Sequence, residues 1–191
     1  MRQINKYSDV KRKAGLCHRD ISFENLLLYG EEVRLIDLGL SRRIPFYVNE
    51  NGVSSPRKVR TPQDIFYGKL LYAAPELLSS TAGDGVDLFA ADVWAVGIIA
   101  YVLLRGNLRS FQTQLQCNQS IQDYDRFHRR LRHELFTGNF AGLGFLRRLL
   151  NSVPTQRLSV KEALSHDFLK DGEPIKLQYP TLTEEMMMSS S

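Results

Sequence analysis

Three oxygen-bearing side chains near the start of the chain have a spacing that suits one chemistry. Asp20 lies in the run His-Arg-Asp-Ile-Ser-Phe-Glu-Asn, Asn25 ends that run, and Asp37 opens the triplet Asp-Leu-Gly. A carboxylate can accept the proton of a hydroxyl that attacks a phosphate, and carboxylate and amide oxygens are ligands for Mg²⁺. Each residue alone could be an ordinary turn residue. Their joint spacing indicates phosphoryl transfer, with Asp20 as the base and Asn25 and Asp37 as metal ligands.

A short rigid element is needed between these side chains. Residues 25–29 and 32–36 are apolar-rich runs on either side of a Tyr-Gly-Glu turn, which predicts two short strands in a tight hairpin. The hairpin would carry Asn25 at one end and Asp37 at the other. From there to about Leu70 the sequence has no periodicity, which predicts a long structureless loop, and such loops are usually functional.

The rest of the chain has helical spacing. Residues 91–104 are apolar on nearly every side, which predicts a central buried helix ended by Gly106. A capping box that begins at Ser159 predicts a last helix through about Leu169. Two amphipathic helices are predicted between them, with apolar positions at Ile121, Tyr124, Phe127, Leu131 and Leu135, and at Leu143, Phe145, Leu146, Leu149 and Leu150.

Composition sets the broad class. The chain has 191 residues, of which 43% are hydrophobic and 24% charged, as expected for one globular domain. Two cysteines are too few for a disulfide framework and no apolar leader follows Met1, so we expect a cytoplasmic or nuclear setting. The uncharged run 93–104 is shorter than the roughly 20 residues of a membrane span, so no membrane role is expected.

The net charge of +4 is concentrated in one stretch. Residues 41–60 contain five basic residues against one acidic residue, and 5 − 1 = +4 equals the charge of the whole chain. The stretch has no nucleic-acid-binding motif, so we interpret it as a solvated loop and expect no nucleic-acid partner.

Taken together, the motifs resemble those of the protein kinase family. That family has a His-Arg-Asp catalytic loop with an Asn five residues after the Asp, and an Asp-Phe-Gly metal site. A His-Arg-Asp triplet alone is weak evidence, but further matches follow in family order: Ala74-Pro75-Glu76, Asp92-Val93-Trp94 with Gly97, Arg157, and His166-Asp167-Phe168. The resemblance covers about residues 15–170. It implies a kinase-like α+β fold, mainly the helical C-terminal lobe (C-lobe), with a catalytic loop at 18–25 and an activation segment at 37–76.

The resemblance also implies roles in catalysis. Asp20 would be the catalytic base, and Asn25 and Asp37 would bind Mg²⁺ and, through it, the nucleotide. Leu27 would form the floor of the adenine pocket, and Arg19 would pair with a charged group on the activation segment. The implied partners are ATP and a protein substrate with a Ser or Thr acceptor.

Other implied roles are structural. His18 and Leu38 would belong to the apolar spine that links the two lobes, with Leu38 in place of the usual Phe. Asp92 would anchor the catalytic loop from the central helix. Glu76 and Arg157 would form a buried ion pair.

Two positions near the catalytic loop depart from the family pattern. The family usually has Lys two residues after the catalytic Asp and a Gly-Thr pair farther on, whereas this chain has Ser22 and Gly68-Lys69. We interpret this as an exchange, in which the hydroxyl of Ser22 and the ammonium of Lys69 meet at the same site from opposite sides. The alternative is that Lys69 points to solvent.

The activation segment contains two candidate regulatory residues. Asp64 lies four residues before Gly68, where many kinases are phosphorylated, and could pair with Arg19 without phosphorylation. Thr61, which precedes a proline, is the competing candidate for phosphorylation.

The upper, ATP-covering lobe (N-lobe) of the family is expected to be missing. Only 17 residues precede His18, and they contain no Gly-x-Gly-x-x-Gly and no strand lysine. Residues 1–14 are interpreted as a remnant of the helix that leads into the catalytic loop, and residues 171–191 as a loosely ordered tail.

Three functional hypotheses follow. The first is a Ser/Thr protein kinase C-lobe that is inactive in isolation. The second is a non-catalytic pseudokinase module that binds partners. The third, a small-molecule phosphotransferase of the aminoglycoside or choline type, is disfavoured by the Ala-Pro-Glu motif and Arg157. The sequence does not predict an oligomeric state.

Overall fold

The computed structural model describes residues 15–30, 32–48, 50, 54–59, 68–78, 85–106 and 120–170. Within these ranges the strands are β1 (Leu16–Cys17), β2 (Leu26–Tyr29), β3 (Glu32–Leu35), β4 (Arg42–Arg43), β5 (Phe46–Val48) and β6 (Ser54–Pro56). The helices are α1 (Pro75–Leu78), α2 (Leu88–Arg105), α3 (Ile121–Thr137), α4 (Leu143–Leu149), α5 (Val160–Leu164) and α6 (Asp167–Lys170). Short 3₁₀ helices cover Phe23–Asn25, Leu70–Tyr72 and Pro154–Gln156. The predictions for residues 1–14 and 171–191 lie outside the described residues.

Helix α2 is the centre of the core. The Asp87 side chain caps its start by accepting hydrogen bonds from the Phe89 and Ala90 amides, and Gly106 ends it with a left-handed φ of 64°. By length and composition this helix could cross a membrane, but 78% of its apolar window is buried inside the protein. It is therefore the core helix of the domain, as the sequence predicts.

A glycine in α2 allows α4 to approach closely. A Cβ atom at Gly97 would lie 2.7 Å from Leu150 Cδ2 and 3.3 Å from Leu149 Cβ, distances at which those side chains would have to move. Leu149 and Phe145 on α4 are 0% and 1% exposed. The backbone of α2 thus packs directly against the apolar face of α4.

The strands form three separate antiparallel pairs, β1 with β4, β2 with β3, and β5 with β6. In the β2–β3 hairpin, Leu26 lies opposite Leu35 and Tyr29 opposite Glu32. The Ile36 amide donates to the Asn25 carbonyl at 2.9 Å, which closes the open end of the hairpin. The predicted hairpin is confirmed, and its open end lies between Asn25 and Asp37.

The prediction of a structureless loop from Asp37 to Leu70 was wrong. Three strands, β4, β5 and β6, lie within this stretch, and Val59 forms an isolated bridge with Val86. These strands have only two or three residues each, so an alternating pattern cannot show in the sequence. Strand β4 forms because β1, more than 20 residues earlier, offers it a partner.

The prediction of one helix from Ser159 to Leu169 was also wrong. The capping box is present, since the Ser159 amide donates to Glu162 Oε2 at 2.8 Å and the Glu162 amide donates to Ser159 Oγ at 3.3 Å. However, α5 ends at Leu164. His166 Nδ1 then accepts the Phe168 amide at 3.2 Å, which supports the start of α6.

One apolar position of α3 is misassigned by the sequence. Tyr124, Phe127, Leu131 and Leu135 are buried as predicted, but Ile121 is 51% exposed. It lies in the first turn, directly after the N-cap Ser120, before the helix reaches the core.

Candidate active site

The loop of residues 18–25, called the Asp20 loop below, is fixed to the central helix by Asp92. Asp92 Oδ2 accepts the His18 amide at 2.7 Å, and Asp92 Oδ1 accepts the Arg19 amide at 2.9 Å. Arg19 has a φ of 69°, a left-handed conformation that costs a non-glycine residue about 1–2 kcal/mol. The two hydrogen bonds offset this cost and hold the turn that presents Asp20.

His18 supports the same loop from inside. Its ring is 2% exposed, Nδ1 accepts the Asp20 amide at 3.3 Å, and Nε2 lies 3.0 Å from the Ile36 carbonyl. Because a carbonyl only accepts, this arrangement requires a neutral ring with its proton on Nε2. His18 thereby links the Asp20 loop to the end of the β2–β3 hairpin.

Asp20 and Asn25 form one hydrogen-bonded pair. Asn25 Nδ2 donates to the Asp20 carbonyl at 2.7 Å and to Asp20 Oδ2 at 2.8 Å. With both side-chain amide protons used, the side-chain oxygen Asn25 Oδ1 is the atom that stays available as a ligand. Asn25 is 7% exposed, so its orientation is fixed by packing as well as by these bonds.

The second carboxylate oxygen of Asp20 faces a confined space. Asp20 Oδ1 is buried and has no hydrogen-bond partner among the described residues. A Cβ atom at Gly68, whose φ is 91°, would lie 2.9 Å from this oxygen, so the position requires glycine. A cavity of about 30 Å³ beside it, lined in part by Tyr72 and Asp92, has room for at least one water molecule.

The structure places Lys69 at the Asp20 loop and not in solvent. Its Nζ donates to Ser22 Oγ at 2.8 Å and lies 3.6 Å from Asp20 Oδ2 and 3.8 Å from Glu24 Oε2. A quarter of the Lys69 side chain is exposed, and Ser22 is fully buried. The hydroxyl and the ammonium therefore meet beside Asp20, as the exchange interpretation requires.

Sequence analysis missed Glu24 and Tyr72, which connect the Asp20 loop to the 3₁₀ helix Leu70–Tyr72. The Tyr72 hydroxyl accepts the Phe23 amide at 3.2 Å and donates to Glu24 Oε2 at 3.4 Å. Burial, with a further contribution from the charge of Glu24, raises the pKa of Tyr72 well above its usual value. Tyr72 is therefore a permanent donor. The only sequence signal was the position of Glu24 beside Asn25.

His128 on α3 holds the other side of the same 3₁₀ helix and was also missed. Its Nε2 lies 3.2 Å from the Leu71 carbonyl, and the ring is 2% exposed. It packs against Tyr124, with ring centroids 3.9 Å apart, and stacks on Trp94 at 5.7 Å. Helix α3 thus fixes the segment that carries Lys69.

The buried His128 is expected to make stability depend on pH. Burial lowers its pKa to about 4 from an ordinary value of 6.5, so the unfolded chain takes up this proton before the folded chain does. The stability that the neutral His128 contributes is fully present above pH 6.5. It is lost as the pH falls from 6.5 towards 4, which lowers the free energy of unfolding by up to about 3 kcal/mol. Urea unfolding at both ends of this range measures it.

The matched control for this prediction is His128→Gln, which keeps an N–H donor for the Leu71 carbonyl but does not titrate. The difference in stability between the parent and this variant should shrink steadily as the pH falls. If the free energy of unfolding changes with pH equally in the two proteins, His128 is not the group that makes stability depend on pH.

Asp37 and its neighbours lie on the open side of the hairpin. Asp37 has a φ of 62°, and its Oδ1 accepts the Gly39 amide at 3.0 Å. Leu27 is 51% exposed and Leu38 is 47% exposed. Of the two residues assigned to the spine, the structure buries His18 and leaves Leu38 exposed. The roles of Leu27 and Leu38 stay predictions.

The oxygen donors present fit Mg²⁺ better than a transition metal. No group of three or more His, Cys, Asp or Glu side chains that could hold a metal ion occurs in the described ranges. The side-chain oxygen Asn25 Oδ1 and the Asp37 carboxylate are hard ligands. Mg²⁺ is commonly held by one or two carboxylates together with substrate phosphates, so a sparse oxygen set of this kind suits it.

Glu76 and Arg157 form a two-pronged ion pair. Arg157 Nη1 donates to Glu76 Oε1 at 2.7 Å and Nη2 donates to Glu76 Oε2 at 2.9 Å. Arg157 also donates to the Ala90 carbonyl at 2.7 Å and the Asn151 carbonyl at 3.0 Å, and its guanidinium lies 5.0 Å from the centre of the Trp94 ring. The pair joins α1 to the helical core. The two predicted regulatory residues, Thr61 and Asp64, lie outside the described residues.

Comparisons with known proteins agree with this geometry. The protein kinase domain model matches residues 8–169. Similar proteins include mouse hormonally up-regulated neu tumor-associated kinase, 30% identical over 94% of this chain and 24% of that protein. CDPK-related kinase 5 of Arabidopsis thaliana is 30% identical over 91% of this chain and 26% of that protein. A probable serine/threonine-protein kinase KIN1 homolog of Encephalitozoon cuniculi is 27% identical over 92% of this chain and 28% of that protein. The chain spans about a quarter of the length of these relatives. It belongs to the protein kinase family.

Proposed function

We propose that this chain is the substrate-binding half of a serine/threonine protein kinase, which transfers the γ-phosphoryl group of ATP to a Ser or Thr hydroxyl of a protein. The observation that carries the proposal is the cluster in which Asn25 holds Asp20 and the Lys69 ammonium lies 3.6 Å from the Asp20 carboxylate. The serine/threonine class is supported by the name of the Encephalitozoon cuniculi relative.

In this mechanism Asp20 accepts the proton of the acceptor hydroxyl. Asn25 fixes the carboxylate in place, and Lys69 offers a positive charge to the phosphoryl group as negative charge spreads over its oxygens. Asn25 and Asp37 would hold Mg²⁺, which when bound neutralises charge on the phosphates. Ser22 orients the Lys69 ammonium through its 2.8 Å hydrogen bond.

The isolated 191-residue chain is expected to have no measurable kinase activity. An N-lobe supplies the phosphate-binding lysine and the glycine-rich loop of the family, and without them the nucleotide phosphates stay solvated and unpositioned. Phosphate incorporation into a generic protein substrate measures this. Activity of the isolated chain that is lost in an Asp37→Asn variant would refute the expectation.

The catalytic assignment is tested by fusing the chain to the N-lobe of a kinase relative. The fusion protein should transfer phosphate, and Asp20→Asn and Asp37→Asn should each abolish the transfer. The Asp125→Asn variant removes an exposed carboxylate on α3 and should leave it unchanged. A fusion protein that binds ATP and Mg²⁺ but transfers nothing would instead favour the pseudokinase hypothesis.

One observation keeps that second hypothesis open. Arg157 binds the Glu76 carboxylate and Asp92 accepts the His18 amide, and neither contact involves a group that belongs to a nucleotide. A partner-binding module could therefore keep this fold without catalysis, and the fusion experiment separates the two functions.

A further inference from the structure

Helix α3 separates its charges between two faces. Its exposed charged residues are Asp125 and four arginines, Arg126, Arg129, Arg130 and Arg132, which gives 4 − 1 = +3. The other two acidic residues are half-buried and already engaged within the chain. Asp123 accepts a 2.6 Å hydrogen bond from Ser120 Oγ, and Glu134 accepts a 2.9 Å hydrogen bond from Arg105.

Most of these arginines have no carboxylate partner. Arg126 lies 3.4 Å from Asp123, and Arg129 donates only to the Asp125 carbonyl of its own helix at 3.4 Å. In the ranges that the structure describes, the side chains of Arg130 and Arg132 make no ion pair or hydrogen bond. A guanidinium can bind a carboxylate through two parallel hydrogen bonds, so these side chains have unused capacity for acidic groups.

The same face ends in an exposed aromatic ring. Phe136 is 85% exposed, the highest value among the large hydrophobic side chains of the described ranges. Arg129, Arg132 and Phe136 lie three, four or seven positions apart, which places them on one stripe of the helix. Arg147 on α4 adds a guanidinium at the end of this stripe by donating to the Leu135 carbonyl at 2.6 Å and the Phe136 carbonyl at 3.1 Å.

We propose that this surface, the arginine face (Arg126, Arg129, Arg130, Arg132 and Phe136), binds an acidic segment of a protein partner that also carries an apolar residue. Arg126 and Phe136 are ten residues apart, which corresponds to about 15 Å along the helix axis. An extended peptide of about five residues has the same length. The carboxylates of the segment meet the arginines, and its apolar residue packs on Phe136.

The features of the face favour a protein segment over other polyanions. A single-stranded nucleic acid is usually held by several aromatic rings between the basic groups, whereas the face has one ring at its end. A membrane-surface helix needs a broad apolar face towards the lipid, and the apolar side of α3 is buried in the core.

The test uses the 191-residue chain and a fluorescent peptide of about eight residues, mostly glutamate with one central leucine. Binding by anisotropy should weaken steeply with added salt. The double variant Arg129→Gln with Arg132→Gln should lower the affinity about tenfold, because it removes two of the exposed charges that meet the carboxylates of the peptide. Glutamine has a helix propensity close to that of arginine, so the helix should persist.

The matched control is Arg34→Gln with Arg57→Gln, which removes two exposed charges elsewhere and should change the affinity less than about twofold. Phe136→Ser should weaken binding of the leucine peptide but not of an all-glutamate peptide. The proposal is overturned if the control variant loses as much affinity as the double variant. It is equally overturned if a single-stranded RNA homopolymer or phosphatidylserine vesicles bind the chain more tightly than the peptide at the same salt.

Discussion

Replacing Arg157 by alanine is expected to lower the free energy of unfolding by about 3–5 kcal/mol, as for the loss of one partner from a buried pair. The Arg157 side chain is fully buried and that of Glu76 is 13% exposed, so the variant would leave the Glu76 carboxylate unpaired in a largely dry site. It would also leave the Ala90 and Asn151 carbonyls without their donors. Urea unfolding followed by the fluorescence of Trp94 measures the change.

Three further variants make this prediction specific. Arg157→Lys keeps the charge but lacks the planar fork, so we expect a smaller loss than for alanine. Glu76→Gln keeps acceptor and shape and should also lose less than Glu76→Ala. Arg126→Ala removes an arginine whose side chain is 72% exposed and should change stability by less than about 1 kcal/mol. Equal unfolding curves for Arg157→Ala and Arg126→Ala would show that the buried pair contributes nothing.

Replacing Lys69 by alanine in the fusion protein is expected to lower kcat about 10²-fold or more, the range for losing a preorganised electrostatic group. The ammonium lies 3.6 Å from Asp20 Oδ2 and is held by Ser22, so it is positioned before substrate arrives. Lysine suits this role because it is a compact charge on a flexible stem. Steady-state kinetics should show a large fall in kcat and a smaller change in the KM for ATP.

The exchange interpretation predicts a rescue. Ser22→Lys together with Lys69→Thr restores the usual family arrangement and should recover much of the rate lost in Lys69→Ala. Ser22→Ala should have a smaller effect, since it removes only the hydrogen bond that orients the ammonium. A Lys69→Ala rate close to the parent rate, or a double variant as slow as Lys69→Ala, would contradict the exchange.

The sequence predicted the parts of the fold that depend on local pattern. The apolar run of α2, the capping box at Ser159 and the hairpin before Asp37 each follow from spacing within a few residues. Strands β4 to β6 escaped prediction because runs of two or three residues have no detectable period, and β4 in addition forms through a distant partner, β1. The break at His166 escaped because a histidine cap looks like any other helix residue in a one-dimensional pattern.

In the candidate site, too, the sequence predicted the residues that belong to local motifs and missed the contacts between distant residues. Family motifs identified Asp20, Asn25 and Asp37, and two departures from the motifs pointed to Ser22 and Lys69. Other contacts join residues far apart in the chain, such as Tyr72 with Glu24 and His128 with Leu71, and no motif marks them.

The sequence did not predict the arginine face, because a net charge adds residues from all sides of a helix. Outside residues 41–60 the positive and negative charges cancel in number, so the sequence total is neutral there. In the fold Asp123 and Glu134 are half-buried and bound by Ser120 and Arg105, whereas the four arginines are exposed, so the excess positive charge appears only on the exposed surface of α3.

The anchoring of the Asp20 loop by Asp92 has a consequence for assembly. Both carboxylate oxygens hold backbone amides of the loop, so its conformational entropy is already lost when the helical part folds. An N-lobe, such as the one supplied in the fusion protein, would therefore meet a ready-formed Asp20 loop. Docking against this loop would then resemble rigid-body docking, which needs no ordering of the Asp20 loop itself.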